Sequence, residues 1–200
     1  MLIVFEGIDG SGKDTQIRKL LAFFRQNKIR YKLHKYPTRK AKAVFEHLEG
    51  KEELHAGKLA EAFAEDIMEE QARLKEELSS GVAVICDRYL HSTLAYQGAK
   101  IGYGKVRKML EGRRAMPPDL VLILDIGAQE GARRKAIHKK PDRFEKDVEY
   151  LAAVRKNYLR EAKEGFLCYR LAVVDAAKPE DEVFSEVIMH IEPLLTKKMR

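Results

Sequence analysis

A glycine-rich loop near the start of the chain has the residues needed to bind phosphate groups. Gly7, Gly12 and Lys13 fit the pattern G-x-x-x-x-G-K-[ST], in which backbone N–H groups and a lysine surround phosphates. The last position of that pattern should be a hydroxyl residue, which is a neutral Mg²⁺ ligand, but this chain has Asp14 there. A carboxylate at this position either binds the metal strongly or repels the phosphates, and the sequence leaves both outcomes open.

The loop lies between the two elements that must position it. The apolar run Leu2–Phe5 predicts a buried parallel strand, and the stretch 16–24 predicts a helix. The amino end of that helix adds a partial positive charge that favours an anion. We therefore predict a phosphate loop that contains Gly7, Ile8, Asp9, Gly10, Ser11, Gly12, Lys13, Asp14 and Thr15.

Strand-like and helical patterns alternate along the whole chain. The apolar runs are Leu2–Phe5, Tyr31–His34, Val82–Cys86, Leu120–Leu124 and Leu171–Val174. Apolar residues at helical spacing predict single long helices over 58–78 and 144–163. This alternation is typical of an α/β fold in which helices cover both faces of a parallel sheet. With 200 residues and no linker or repeat, we expect one domain over 1–200.

Charged residues follow the ends of these strands, where ligands of parallel sheets bind. Asp87 comes directly after the third run, so its carboxylate would hold Mg²⁺ directly or through water; the alternative is a helix N-cap. Arg39 and Arg88 follow the second and third runs. Two converging guanidinium groups would suit a second phosphate, whereas the alternative is two surface arginines.

The net charge of +7 is concentrated in one segment. Six of the eleven residues from 133 to 143 are Lys or Arg, against a single Asp. This segment has no interleaved aromatic residues, so a compact polyanionic substrate is favoured over nucleic acid. A basic segment between two helical patterns is what a closing lid would look like, although most such charge runs are solvated loops.

The remaining composition points to a cytoplasmic protein. No apolar run is long enough to cross a membrane, and the chain begins directly with a strand, so we expect no signal peptide. Cys86 and Cys168 lie at strand-like runs and are expected to be buried and reduced. The six histidines show no metal-ligand spacing.

From Leu2 to about Leu171 the sequence resembles the thymidylate kinase family of nucleoside monophosphate kinases. The order and spacing of several motifs carry the resemblance, namely Phe5–Lys13, Tyr36–Arg39, Phe63-Ala64, Asp87–Gly98, Pro118–Asp125 and Asp142–Glu145. The resemblance implies a three-layer α/β/α fold with a five-stranded parallel sheet. It also implies ATP as phosphoryl donor, Mg²⁺ as cofactor, a deoxynucleoside monophosphate as acceptor, and a homodimer.

Roles for individual residues follow from their motif positions in the resemblance. Lys13 would bind the ATP phosphates, and Asp9 would contact the acceptor sugar and help to organise the metal. Arg39 and Arg88 would hold the acceptor phosphate. The base and sugar would be contacted by Phe63, Thr93, Tyr96 and Gln97. The residues Ile8–Ser11 include no basic side chain, so this chain is similar to members whose catalytic arginine lies in the lid, and the candidates are Arg133, Arg134 and Arg143.

Two positions depart from the family pattern. Four residues after Phe63 the family usually has an arginine that reads thymine, but this chain has Ile67, which we expect to be a core residue. Asp14 is the second departure. We therefore predict a kinase that transfers the γ-phosphoryl of ATP to dTMP. The alternatives are a kinase for another nucleoside monophosphate and a nucleotide-binding homologue with reduced catalysis.

Overall fold

The computed structural model describes residues 1–138 and 148–198. Five strands are present in these ranges: β1 Leu2–Glu6, β2 Tyr31–Lys35, β3 Ala83–Asp87, β4 Leu120–Asp125 and β5 Leu171–Asp175. The helices are α1 Lys13–Gln26, α2 Lys42–Leu48, α3 Ala56–Glu69, α4 Gln71–Ser79, α5 Leu90–Ile101, α6 Tyr103–Glu111, α7 Ala128–His138, α8 Val148–Glu164 and α9 Glu180–Lys198.

The strands form one parallel sheet in the order β2-β3-β1-β4-β5. Every residue of β1 and β3 is buried, as expected for central strands that are covered on both faces. Helix α1 packs against β1, β3 and α9, while α5 packs against α3, α6 and α8. The predicted α/β fold with a five-stranded parallel sheet is confirmed.

Two of the predicted helices differ from the observed ones. The helix expected over 58–78 is divided into α3 and α4 by Glu70, which lies between them with a φ of −89° and a ψ of −3°. The carboxylate of Glu70 is buried and accepts from Lys40 Nζ at 2.7 Å, and the amide of Gln71 donates to the Tyr89 hydroxyl at 2.9 Å. These tertiary contacts override an apolar spacing that continues through the break. The other predicted helix, over 144–163, is observed as α8 from Val148, and residues 144–147 lie outside the described ranges.

The expected lid begins as a helix. Arg133 and Arg134 belong to α7, which continues to His138, so the first part of the segment 133–143 is not a loop. The remainder of that segment, including Arg143, lies outside the described residues.

Both cysteines are free. Cys86 is buried in β3, and Cys168 is half-buried just before β5, so the expectation of burial holds fully for Cys86 alone. No helix in the described ranges is long and apolar enough to cross a membrane.

Candidate active site

A cleft of about 750 Å³ opens at the carboxyl ends of the strands. The phosphate loop lines one side of it from Asp9 to Thr15, and Asp87 and Arg88 line its centre. At the other end lie the half-buried Phe63 and three residues of α5: Thr93, Tyr96 and Gln97. The carboxyl ends of the parallel strands meet at this edge of the sheet, so residues far apart in sequence share one cavity.

Lys13 is the first residue of α1 and is almost buried in the phosphate loop, with 7% of its surface exposed. Its Nζ donates to the carbonyl oxygens of Gly7 at 2.9 Å and Ile8 at 3.0 Å. Burial, reinforced by the nearby positive charge of Arg88, lowers the pKa of Lys13 to about 8. Within the first turn of α1 the Thr15 N–H already donates to the Gly12 oxygen at 3.1 Å. The positive end of the helix and the ammonium of Lys13 together form an anion-binding corner.

The phosphate loop touches α7 through a pair of glycines. Gly10 has a φ of +78°, and a Cβ built there would lie 2.0 Å from the carbonyl oxygen of Gly131. A Cβ at Gly131 would lie 2.8 Å from the backbone oxygen of Asp9. Neither position has room for a side chain, so backbone packs on backbone. The helix that leads into segment 139–147 is thereby set directly on the loop that would hold the phosphates.

Replacing Gly131 by Ala is expected to destabilise the fold by about 1–3 kcal/mol and to reduce kcat. The added methyl group would meet Asp9 O and Ile8 Cδ1 at 2.8 and 3.0 Å, so α7 or the loop must shift. Urea unfolding and steady-state kinetics measure the two effects. Gly104→Ala is the matched control, because a Cβ at that helical position meets no atom within 4 Å. Equal behaviour of the two variants would contradict this packing argument.

Arg88 is fixed between the loop and α5 by several contacts. It has a left-handed backbone with a φ of 71°, which is uncommon for a residue with a side chain. Its guanidinium donates to the carboxylate of Asp9 and, at 3.0 Å, to the hydroxyl of Ser92. It also lies 5.2 Å from the centre of the Tyr96 ring. The arginine is therefore held in place in the cleft rather than extended into solvent.

A buried carboxylate that we did not single out from the sequence supports this arrangement. Glu6, the last residue of β1, accepts from the Tyr89 N–H at 2.7 Å, the Ser92 hydroxyl at 2.5 Å and the Tyr158 hydroxyl at 2.9 Å. Burial raises the pKa of Glu6, while Arg88 and these donors oppose the increase. The sequence offered one signal for this role, since Glu6 is a charged residue directly after the apolar run Leu2–Phe5. Glu6 fixes the beginning of α5 and, through Ser92, the position of Arg88.

Asp87 and Asp14 face each other across the cleft floor. Asp87 ends β3 with 5% of its side chain exposed, whereas the carboxylate of Asp14 in the first turn of α1 is largely exposed. The N-cap residue of α5 is Tyr89, so the alternative interpretation of Asp87 as the cap of that helix is wrong. Both carboxylates contact the ammonium of Lys35, at 2.6 Å from Asp87 and 3.2 Å from Asp14.

These two carboxylates fit a magnesium site. Their oxygens surround one cationic group, and Mg²⁺ in nucleotide enzymes commonly uses one or two carboxylates together with phosphate oxygens and water. Within 1–138 and 148–198, no group of three or more His, Cys, Asp or Glu residues is placed to hold a metal without such help. Asp14 and Asp87 would therefore hold the ion jointly with the phosphates.

The far end of the cleft is aromatic. Phe63 faces the cleft, whereas Ile67, one helical turn later, is 2% exposed and packs in the core as expected. Tyr150 of α8 also lines this end, and its hydroxyl donates to the backbone oxygen of Tyr96 at 2.8 Å. Tyr150 was not predicted, because only the packing of α8 on α5 brings it here. A flat base would find aromatic surface together with the side chains of Thr93 and Gln97.

Comparison with known proteins decides the family. A family model for thymidylate kinase matches residues 5–187 of the chain. The chain belongs to the thymidylate kinase family. It is 36% identical to a probable thymidylate kinase of Archaeoglobus fulgidus, with 99% of this chain and 98% of that protein covered. It is 37% identical to a probable thymidylate kinase of Methanocaldococcus jannaschii, with 96% of each covered. A thymidylate kinase of Chromobacterium violaceum is 30% identical, with 98% of this chain and 95% of that protein covered.

Of the arginines expected from the thymidylate kinase pattern, some lie in the cleft and others do not. Arg134 lines it and donates to the backbone oxygen of Ala176 at 3.0 Å. Arg133 is exposed and donates to Glu130, outside the cleft lining. Arg39 is exposed in a separate groove, where it lies with Lys42, Phe45 and Glu46. Its role as a ligand of the acceptor phosphate, like that of Arg143, stays a prediction.

Proposed function

We propose that this protein is an ATP-dependent thymidylate kinase, which transfers the γ-phosphoryl group of ATP to dTMP and forms dTDP and ADP. One observation carries the proposal: a phosphate loop and an aromatic pocket share a cleft, and Arg88 lies between them, held by Asp9 of the loop. Donor phosphates on the loop and an acceptor base at Phe63 would place two phosphate groups on either side of this arginine. The names of the relatives support the same acceptor.

The residues of the chain would act by positioning and by neutralising charge. Lys13 would bind the outer donor phosphates, and Arg88 would hold the acceptor phosphate in line with them. Asp9 would orient Arg88 and reach the acceptor sugar. The acceptor phosphate is already anionic, so no side-chain nucleophile or base is required. Mg²⁺, held by Asp14 and Asp87, would neutralise charge that develops on the phosphates.

The lid, the assembly and the location belong to the same proposal. Segment 133–143 would close over the phosphates, with Arg134 in the cleft already and Arg133 and Arg143 as further candidates for transition-state contacts. Residues 1–200 would form one kinase domain. The family resemblance supports a homodimer, and the free cysteines support a cytoplasmic location.

A panel of monophosphates tests the acceptor. With ATP and Mg²⁺ present, kcat/KM for dTMP is expected to exceed that for dCMP, dAMP and dGMP by at least about 10²-fold. The reason is that this end of the cleft combines the ring of Phe63 with the polar side chains of Thr93 and Gln97, and polar groups that pair with one base are left unpaired by the others. Product formation is measured by coupled detection of ADP and by chromatography of the diphosphate.

The control variant is Asp87→Ala, which removes a proposed metal ligand at the end of the cleft opposite Phe63. Comparable turnover of dTMP, dCMP and dAMP would refute the thymine assignment. Wild-type turnover that does not exceed that of Asp87→Ala, with ATP still bound, would show a nucleotide-binding protein rather than a kinase.

A further inference from the structure

Lys35 occupies a position that no motif predicted. It is the last residue of β2, and the parallel register pairs it with Asp87, the last residue of β3. The first turn of α1 brings Asp14 to the same point. The ammonium of Lys35 lies 2.6 Å from Asp87 Oδ2 and 3.2 Å from Asp14 Oδ1, so one cation contacts both carboxylates.

The same two carboxylates are the residues that would hold Mg²⁺. A lysine ammonium is a compact point charge, and at these distances it uses oxygens that a metal ion would need. Lys35 contacts one oxygen of each carboxylate, and a divalent ion on the remaining oxygens would lie a few ångström from the ammonium and be repelled by it. Lys35 and a divalent ion therefore oppose each other's binding to Asp14 and Asp87.

The balance between the two cations depends on the nucleotide. Asp14, Asp87 and Lys35 together carry a net charge of −1. The two carboxylates without the lysine carry −2. The side chain of Lys35 is 64% exposed, so its ammonium can leave the carboxylates for solvent or for another anion, whereas its partner Asp87 is only 5% exposed and keeps its place in the cleft. A bound triphosphate would add oxygen ligands for the metal and a new anionic partner for the released ammonium. The free protein has neither of these. There, a metal ion would have only the two carboxylates as ligands and would have to displace Lys35 from them.

We infer that Lys35 is an internal cation that competes with divalent metal for Asp14 and Asp87, so that the metal enters the site together with the nucleotide. This inference rests on the proposed kinase function for its metal and nucleotide. It also explains how the site tolerates a carboxylate at Asp14, where the phosphate-loop pattern has a hydroxyl residue. In the free protein Lys35 compensates the extra carboxylate, and the site presents the phosphates with less negative charge than two bare aspartates would.

Binding of Mn²⁺ to the nucleotide-free, full-length protein tests the inference. The free ion is counted by its electron paramagnetic resonance signal as metal is titrated into wild type, Lys35→Met and Lys32→Met. Methionine matches the unbranched aliphatic part of the side chain and lacks the ammonium. Lys32 is the matched control, because it is also exposed on β2 but lies three residues nearer the amino end. We expect Lys35→Met to bind Mn²⁺ about tenfold more tightly than wild type, and Lys32→Met to be unchanged.

Two further variants make the result specific. In Lys35→Met combined with Asp14→Thr, the gain in Mn²⁺ affinity should be lost, because one of the released carboxylates is gone. At saturating ATP, wild type and Lys35→Met should differ by less than in its absence. Thermal unfolding of each variant verifies that the fold is intact, which the exposure of Lys35 leads us to expect.

Equal Mn²⁺ affinities of wild type and Lys35→Met would overturn the inference, and so would an equal increase in Lys32→Met, which would indicate a general charge effect. No acceptor or turnover enters the titration. A failure to phosphorylate dTMP would therefore refute the proposed function in the monophosphate panel, whereas a failure of the Mn²⁺ result alone would refute the role of Lys35.

Discussion

Replacing Lys13 by Met is expected to reduce kcat/KM for phosphoryl transfer by about 10³-fold or more. The substitution keeps the unbranched aliphatic part of the side chain but removes the cation that the loop carbonyls of Gly7 and Ile8 hold in place. Because Lys13 is almost buried, the lost charge is one that solvent screens weakly. Steady-state kinetics with ATP and dTMP, together with direct measurement of ATP binding, give the size of the loss.

The fold itself should tolerate this change. The charged form of Lys13 is disfavoured by burial, as its pKa of about 8 indicates, so removing the charge relieves a desolvation cost while three hydrogen bonds are lost. Lys19→Met is the control on the same helix, because Lys19 pairs with Glu180 and Asp181 and is not among the residues that line the cleft. An activity loss no greater than that of Lys19→Met would show that Lys13 does not bind the phosphates.

The parts of the fold that depend on local pattern could be read from the sequence. Four of the five predicted strands begin at the observed residue, and all five end one residue later than predicted, at Glu6, Lys35, Asp87, Asp125 and Asp175. Each of those last residues is charged, so an apolar pattern stops one position short of the hydrogen-bonded strand. The error is informative, since three of these residues, Glu6, Lys35 and Asp87, lie at the site.

The parts of the site that depend on long-range packing could not be read in this way. The donors to Glu6 come from residues 89, 92 and 158, which only the assembled sheet and α8 bring together. The contact of Lys35 with Asp14 and Asp87 requires the β2–β3 register and the position of α1 at once. Local motifs therefore predicted the phosphate loop. The contacts of Glu6 and Lys35 beside that loop depend on tertiary structure and could not be predicted from local motifs.

The separation of Arg39 from Arg88 also depends on long-range packing. Both follow strand ends, and both are expected from their motif positions to hold the acceptor phosphate. Arg88 comes directly after β3 and is held by Asp9 and Ser92, whereas Arg39 lies four residues beyond β2 on a segment that Asp66 holds through the N–H of Thr38 at 2.7 Å. A strand end predicts which edge of the sheet a residue lies on, but the connection that follows decides where its side chain points.

Replacing Arg88 by Ala is expected to weaken dTMP binding by about 10²–10³-fold while changing ATP affinity by less than about threefold. Arg88 lies between the loop and the aromatic end of the cleft, and its guanidinium can bind a phosphate through a fork that no neighbouring lysine reproduces. Alanine and arginine both carry a Cβ and are equally strained at a φ of 71°, so the variant tests the side chain rather than the backbone. Titration calorimetry with each ligand separately measures both affinities.

Two companion variants identify what Arg88 contributes. Arg88→Lys keeps the charge but loses the fork and the contact with the Tyr96 ring, so it should recover only part of the dTMP affinity. Ser92→Ala removes one hydrogen bond at 3.0 Å that positions the guanidinium, and it should weaken dTMP binding less than Arg88→Ala. Similar losses for ATP and dTMP in Arg88→Ala would place the arginine at the donor phosphates. The selective loss expected here follows from the contacts with Asp9, Ser92 and the Tyr96 ring, which hold the guanidinium beside α5 at the end of the cleft that Phe63 lines. Its Nη1 also lies 3.4 Å from the Gly7 oxygen that accepts from Lys13, so the separate ATP titration decides how far the arginine serves the donor phosphates.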